Sequence, residues 1–310
     1  MVEHSILYPE NSTLLVIAGP TAVGKTSVAI EVARHFKSEI VSADSRQFFQ
    51  ELKIGTAAPS TIQLDAIRHH FVGNLSLTDD YYNVSLYEKE VMALLPELFQ
   101  KNRFVVLSGG SGLYIRAICH GIDDLPDVDP ALRKSLQHQL NTEGISSLRA
   151  MLQKLDAGYY RLVDPANPAR IIRAIEVCLT TGKPYSELRK QERAERKFRI
   201  IKIGLNLPRE ELHRNINIRV EQMVKDGLIE EAGRFYTLRH LNALNTVGYK
   251  ELFDHFDDKC TLEEAIEKIK TNTRRYARRQ LTWFRKEENI NWCRPEADVV
   301  IRTILNIIEK

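Results

Sequence analysis

The eight residues Gly19-Pro20-Thr21-Ala22-Val23-Gly24-Lys25-Thr26 constrain this chain more tightly than any other stretch. They follow the apolar run Leu14-Leu15-Val16-Ile17-Ala18 and lead into a segment with Val28, Ala29, Val32, Ala33 and Phe36 on one helical face. A G-x-x-x-x-G-K-T loop between a strand and a helix is a phosphate cradle. Backbone N–H groups and the positive end of the helix converge on one spot, which favours a di- or triphosphate. Lys25 adds a positive charge on a flexible stem, and the Thr26 hydroxyl is placed to hold a magnesium ion, Mg2+. The loop says that a phosphorylated ligand binds, and leaves open which one.

Around the loop, short apolar runs at 14–18, 39–43 and 104–107 alternate with helical patterns near 25–36 and 84–100. That alternation predicts a parallel sheet with crossover helices, an α/β core of the P-loop NTPase-like kind. Beyond Gly121 the turn-rich segment Asp123-Asp124-Leu125-Pro126-Asp127-Val128-Asp129-Pro130 opens a helical stretch, and Ile200-Ile201-Lys202-Ile203-Gly204-Leu205 reads as a returning buried strand. The chain therefore divides into a core of 1–120 plus 200–310 and a helical insertion domain of 121–199. The C-terminal part of the core reads as helical, over 209–238, 248–256, 261–287 and 296–309.

With 310 residues, 43% hydrophobic and 27% charged, the chain is long enough to bury a sizeable core. Cys119, Cys178, Cys260 and Cys293 form no C-x-x-C pair, which argues against a zinc site or disulfide framework and suits a reducing cytoplasm. The segment from Met1 to Glu10 does not read as a signal peptide, and no stretch approaches the ~20 apolar residues of a membrane span. A cytoplasmic protein without membrane contact is expected.

Asp44 directly follows the strand Ile40-Val41-Ser42-Ala43, where a parallel sheet delivers side chains to the ligand crevice. It would accept a proton there, hold a metal ion, or merely cap a turn. The strand at 104–107 ends in Ser108-Gly109-Gly110-Ser111-Gly112, whose glycines permit close backbone approach and whose serines donate hydrogen bonds. No acid closes that strand, which counts against plain ATP hydrolysis. On the helix at 261–287, Arg274, Arg275, Arg278, Arg279, Arg285 and Lys286 fall within an arc of roughly 140°, at about 100° per residue. Ile269, Tyr276, Ala277 and Phe284 lie opposite and should face the core. Thr271 to Lys286 contains no acid, so this face suits either solvent or a polyanion. A second basic cluster, Arg189, Lys190, Arg193, Arg196, Lys197 and Arg199, is diluted by Glu187, Glu192 and Glu195 and reads as a solvated face. The pair His69-His70 lacks an acidic companion at ligand spacing and reads as structural.

A resemblance now becomes specific. Gly19–Thr26, Ser42-Ala43-Asp44-Ser45, Ile54-Gly55-Thr56-Ala57-Ala58-Pro59, Gly109-Gly110-Ser111-Gly112-Leu113-Tyr114 and Thr246-Val247-Gly248-Tyr249-Lys250 resemble segments of the bacterial tRNA dimethylallyltransferases, also called tRNA isopentenyltransferases. So do Asn167-Pro168-x-Arg170, Arg173-Ala174-Ile175-Glu176, Thr181-Gly182-Lys183 and Arg279-Gln280-Leu281-Thr282-Trp283-Phe284-Arg285. The family transfers a dimethylallyl group from dimethylallyl diphosphate to N6 of adenine 37 in tRNA. The resemblance implies that the phosphate loop cradles the donor diphosphate, with Lys25, magnesium on Thr26, and Arg219 neutralising the leaving group and Thr21 hydrogen-bonding it. Asp44 would receive the N6 proton or orient the amine. It also implies tRNA contacts at Asp44, Ser45, Arg46, Gln47, Ser111, Arg133, Ala169, Arg170, Ile171, Ile172, Arg173, Asn245, Thr246, Val247, Gly248, Tyr249 and Lys250. The insertion would grip the anticodon stem-loop, and the family precedent is a monomer. Ser111 stands where the family more often has threonine, which keeps the hydroxyl.

Overall fold

Alternating side chains of one strand supply the two faces of the core. In the computed structural model, which describes residues 8–79, 82–123, 125–127, 129–189 and 193–309, β1 (Thr13–Ala18) is buried along its whole length. Leu15 and Ile17 pack on one side with α1 (Lys25–His35), while Leu14 and Val16 pack on the other. The remaining strands are β2 (Ile40–Ser42), β3 (His69–His70), β4 (Phe104–Gly109), β5 (Arg199–Leu205) and β6 (Ile290–Cys293). They form one six-stranded sheet in the order β3-β2-β4-β1-β5-β6, with every pairing parallel. A fully parallel sheet with both faces covered needs strands apolar on both sides, which is what Leu14–Ala18 and Val105–Leu107 provide. Between β2 and β4 lie α2 (Thr61–Ala66) and α3 (Val84–Lys101), the latter capped by the Asn83 side chain.

The short edge strands β3 and β6 and the helix α4 (Gly112–His120) were not legible as elements in the sequence. The two histidines that form β3 depart from expectation: His70 Nε2 lies 2.6 Å from Glu39 Oε2, an acidic companion, and His69, whose Nδ1 lies 2.7 Å from the Ile67 carbonyl, also borders a cavity at the strand ends.

Contacts divide the chain into two units, 1–119 with 196–310, and 120–195. The return to the first unit comes at Arg196, a few residues before the expected strand. That guanidinium donates to the carbonyls of Ala117 and Ile118 and pairs with Glu88, so it belongs with the core. The second unit holds α5 (Pro130–Glu143), α6 (Ile145–Leu155), α7 (Ala157–Tyr160), α8 (Pro168–Thr181) and α9 (Tyr185–Leu188) around its own apolar cluster. Asp124, Val128, Lys190 and Glu192, named above, lie outside the described residues.

The C-terminal region is helical, with one correction. The run expected over 209–238 is three pieces: α10 (Arg209–Lys225), α11 (Leu228–Arg234) and a 3-10 turn at Tyr236–Leu238. Gly227 takes φ 101°, a left-handed conformation that ends α10 and starts α11. Then follow α12 (Tyr249–Phe256), α13 (Leu262–Phe284) and α14 (Ala297–Ile308). Thr261 and Glu264 close a reciprocal capping box at the start of α13. Among the described residues no helix is long and apolar enough to cross a membrane.

Candidate active site

The C-terminal ends of β1, β2 and β4 meet at one edge of the sheet. Gly109 carries no side chain because a Cβ there would stand 2.1 Å from the Ala43 carbonyl oxygen, so the ends of β2 and β4 are in backbone contact. Just beyond it, the Ser111 N–H donates to Ala43 O at 3.2 Å, and Ser111 Oγ accepts from the Ser45 N–H at 3.1 Å. Ser45 and Asp44 are thereby fixed by the loop after β4, which explains why a hydroxyl suffices at position 111.

A cavity of about 250 Å³ opens at this edge. Thr21, Lys25, Thr26, Asp44, Ser108 and Arg219 all line it, together with Gln47 and Ala57-Ala58-Pro59. Arg219 comes from α10, whose Leu212, Ile216 and Val220 are buried, and its guanidinium donates to Thr21 Oγ1 at 3.1 Å. Ala22 sits at φ 62°, a conformation that costs energy for a residue with a Cβ and is often found where a loop is shaped for a ligand. The start of α1 has no side-chain cap, so protein side chains leave its first N–H groups uncovered. The Thr21 N–H, by contrast, does not face the cradle: it donates to Gln280 Oε1 at 2.8 Å.

Lys25 Nζ donates to the Pro20 carbonyl at 2.8 Å. Burial pushes its pKa down to about 8, with the Arg219 charge acting in the same direction and Asp44 opposing both. Burial likewise lowers the Arg219 pKa, again against Asp44. The two cations face each other and one carboxylate, an arrangement that an incoming polyanion would relieve. Asp44 Oδ1 accepts from the Arg46 N–H at 3.3 Å, so the turn-capping reading holds alongside its place on the cavity. Tyr276 of α13 is pushed up to about 12 by burial and then by Asp44, which puts the phenol near the same carboxylate.

The donor set fits magnesium of one kind. Among the described residues no group of three His, Cys, Asp or Glu gathers to cage a metal. The Thr26 hydroxyl and the Asp44 carboxylate share the cavity, which suits an ion that takes most of its ligands from water and substrate phosphate.

The other sequence-predicted residues separate into exposed and committed ones. Arg46 donates to the carbonyls of Asn242 and Ala243, tying the segment after β2 to the loop that carries Asn245, Thr246, Val247 and Gly248. Gln47 donates to Thr56 O and Ala57 O. Tyr249 is fully buried, and its hydroxyl donates to Glu231, while Asn245 and Lys250 are exposed. In the second unit Ala169 and Arg170 are exposed. Ile171 and Ile172 are buried among Leu136, Leu148 and Leu152, so their side chains belong to the core and only their backbone is left for a contact. Arg133 makes a two-pronged bridge to Glu176 at 2.7 and 2.8 Å, and Arg173 donates to Pro126 O.

Two residues that sequence reasoning passed over matter most here. Gln280 is a polar side chain on the buried face of α13, between Ala277 and Phe284. Glu231, buried on α11, accepts the N–H groups of Lys53, Ile54 and Gly55 and so holds the segment that leads into Ala57-Ala58-Pro59. A charged or amide group at an apolar position of an amphipathic helix is the signal that would have found both.

The model of the IPP transferase family matches residues 47–287. The chain belongs to that family. It is similar to tRNA dimethylallyltransferase 2 of Azobacteroides pseudotrichonymphae, 53% identical over 283 residues that cover 91% of this chain and 92% of that one. Among solved structures, the full-length tRNA isopentenylpyrophosphate transferase of Bacillus halodurans is 35% identical with a TM-score of 0.69, covering 96% of each chain. A eukaryotic dimethylallyltransferase captured acting on tRNA gives a TM-score of 0.72 at 25% identity, over 88% of this chain and 70% of that one. The family thus shares the parallel sheet and helices described above.

Proposed function

We propose that this protein is a tRNA dimethylallyltransferase: it moves the dimethylallyl group of dimethylallyl diphosphate to N6 of adenine 37 in tRNA and releases diphosphate. The observation that carries this reading is the convergence of Thr21, Lys25, Arg219 and Asp44 on one cavity at the sheet edge. Three of these residues suit an anionic leaving group, and the fourth suits an amine that must lose a proton.

As the allylic C–O bond breaks, negative charge accumulates on the diphosphate. The Lys25 ammonium and Arg219 guanidinium oppose that charge, and because both are desolvated by burial such contacts are worth more than in solution. Thr21 presents its hydroxyl beside Arg219. A magnesium ion held by Thr26, with Asp44 in reach, would supply further charge neutralisation. An exocyclic adenine amine is a weak nucleophile, so holding it in line with the allylic carbon supplies much of the acceleration. Asp44 orients the amine and takes its proton once the N–C bond has formed. A base stacked in an anticodon loop cannot reach this cavity, so it must be turned out of the stack. Asn245 and Lys250 on the first unit, and Ala169 and Arg170 on the second, are exposed groups available to tRNA.

Incubation with labelled dimethylallyl diphosphate and either tRNA or AMP tests the reading. Label should enter tRNA and appear as N6-(dimethylallyl)adenosine after nucleoside digestion. Label in AMP alone would make the protein a nucleotide prenyltransferase, and label in neither would point to a kinase or a switch.

A further inference from the structure

The phosphate loop and the loop after β4 belong to different crossovers, 90 residues apart, yet one side chain joins them. Gln280 of α13 accepts the Thr21 N–H on its Oε1 at 2.8 Å and donates from Nε2 to the Gly110 carbonyl at 2.9 Å. The side chain is buried, so neither bond competes with bulk water. Contact on the second loop is tight: a Cβ on Gly110 would stand 2.4 Å from Gln280 Nε2. One turn further along α13, the Trp283 ring lies against Gly112, where a Cβ would come within 2.2 Å. The same helix therefore presses on both glycines that flank Ser111, and Ser111 is the residue that fixes Ser45 beside Asp44.

Resting on the function proposed above, we infer that Gln280 is a positioning residue that sets the spacing between the two halves of the reaction. Its carbonyl holds the loop that carries the leaving group, through Thr21. Its amide N–H holds the loop that carries the acceptor side, through Gly110, Ser111 and Ser45. An amide is suited to this task because it presents one acceptor and one donor at the end of the same side chain. Only Gln reaches both loops neutrally: Glu keeps the acceptor and loses the donor, and Met keeps the volume and loses both. Gln280 touches neither substrate under this reading, so its loss should alter alignment more than affinity.

The test compares Gln280→Met and Gln280→Glu with the unaltered protein in steady-state transfer to tRNA, with active sites counted by inorganic diphosphate binding. Turnover per diphosphate-binding site should fall about 30-fold in Gln280→Met, within the range that a misplacement remote from the chemistry produces. The donor KM and diphosphate affinity should stay within about 3-fold, a pattern that marks loss of an interaction felt only in the transition state. Gln280→Glu, which retains the Thr21 bond, should recover part of the loss. A proportional fall in turnover and in diphosphate binding would overturn the inference and make Gln280 part of the donor site or of the fold. Unchanged turnover per site in both variants would also overturn it. Should Gln280→Met fail to fold, Gln280→Glu decides alone, by turnover against donor KM. If the unaltered protein shows no transfer at all, the function proposed above fails instead.

Discussion

The phosphate loop and the segments matched to tRNA contact differ in what their side chains do. In the loop, Thr21, Ala22, Gly24, Lys25 and Thr26 line the cavity, joined there by Arg219, while Gly19 and Pro20 stand outside its lining and Val23 is core. In the contact segments, many of the same kind of residue hold protein to protein. Arg46 braces the loop at Asn242, Tyr249 is locked to Glu231, Arg133 grips Glu176, and Ile171 with Ile172 fills the core of the helical unit. The physical reason is scale. A diphosphate is bound by a few backbone N–H groups and two or three charges, so one short motif contains nearly all of the site. A folded nucleic acid needs a surface held in shape, and much of a contact motif is the frame behind that surface.

Five substitutions or titrations put pressure on this contrast. Asp44→Ala should lower kcat about 1,000-fold, within the span expected for a positioned base, while the donor KM holds. A collapse of donor affinity would instead make Asp44 chiefly a metal ligand. Next in size, Arg219→Gln should cost roughly 100-fold in transfer, the order found when one donor to a developing anion is removed. If diphosphate binding and kcat both stay put, the guanidinium is not over the leaving group. Third, kcat/KM for the donor should hold steady just below pH 8 and fall about tenfold per pH unit above about 8, where free-enzyme Lys25 gives up its proton. The sign follows from the lowered pKa: the ammonium needed by the diphosphate survives below that point and is lost above it. A profile flat to pH 10 would show that Lys25 keeps an ordinary pKa or does not matter. Fourth, Arg278→Gln with Arg285→Gln should reduce the slope of log affinity for tRNA against log salt by up to about 2. Both side chains are exposed, so no packing loss should intrude, and an unaltered slope would leave α13 as frame only. Smallest is Tyr249→Phe, which removes one hydrogen bond to Glu231 and should cost about 1 kcal/mol of stability, with transfer changed less than about 2-fold. A large loss of transfer without loss of Tm would return Tyr249 to the contact surface.

Legibility in the sequence followed the distance over which each feature is encoded. The phosphate loop and the individual strands of the sheet, the one before Asp44 among them, were readable because each is written in ten or so consecutive residues. Arg219 was found through its match to the family, and its bond to Thr21 spans 198 positions that no local pattern records. Gln280 was hidden for the same reason, since both of its partners lie more than 150 residues away. The break in 209–238 was available in Asp226-Gly227, a helix-ending glycine that amphipathic periodicity on both sides masked. The arginine helix divides more finely than its charge pattern suggests. Ile269, Ala277 and Phe284 are buried as expected and Tyr276 is half-buried, but Arg274 is drawn onto Asn217 of α10 at 2.8 Å, and Arg285 with Lys286 lies past the last helical residue.

Glu231 grips the 53–55 stretch with three amide protons and a phenol on one carboxylate. The course of the chain into Ala57 and Ala58 is therefore set by backbone groups, and the methyl groups of those two alanines take no part in it. Under the proposed function, Ala58 is the place to exchange a small side chain for another when a different alkyl donor is wanted, whereas Ala57, at φ 49°, would resist a bulkier or branched one.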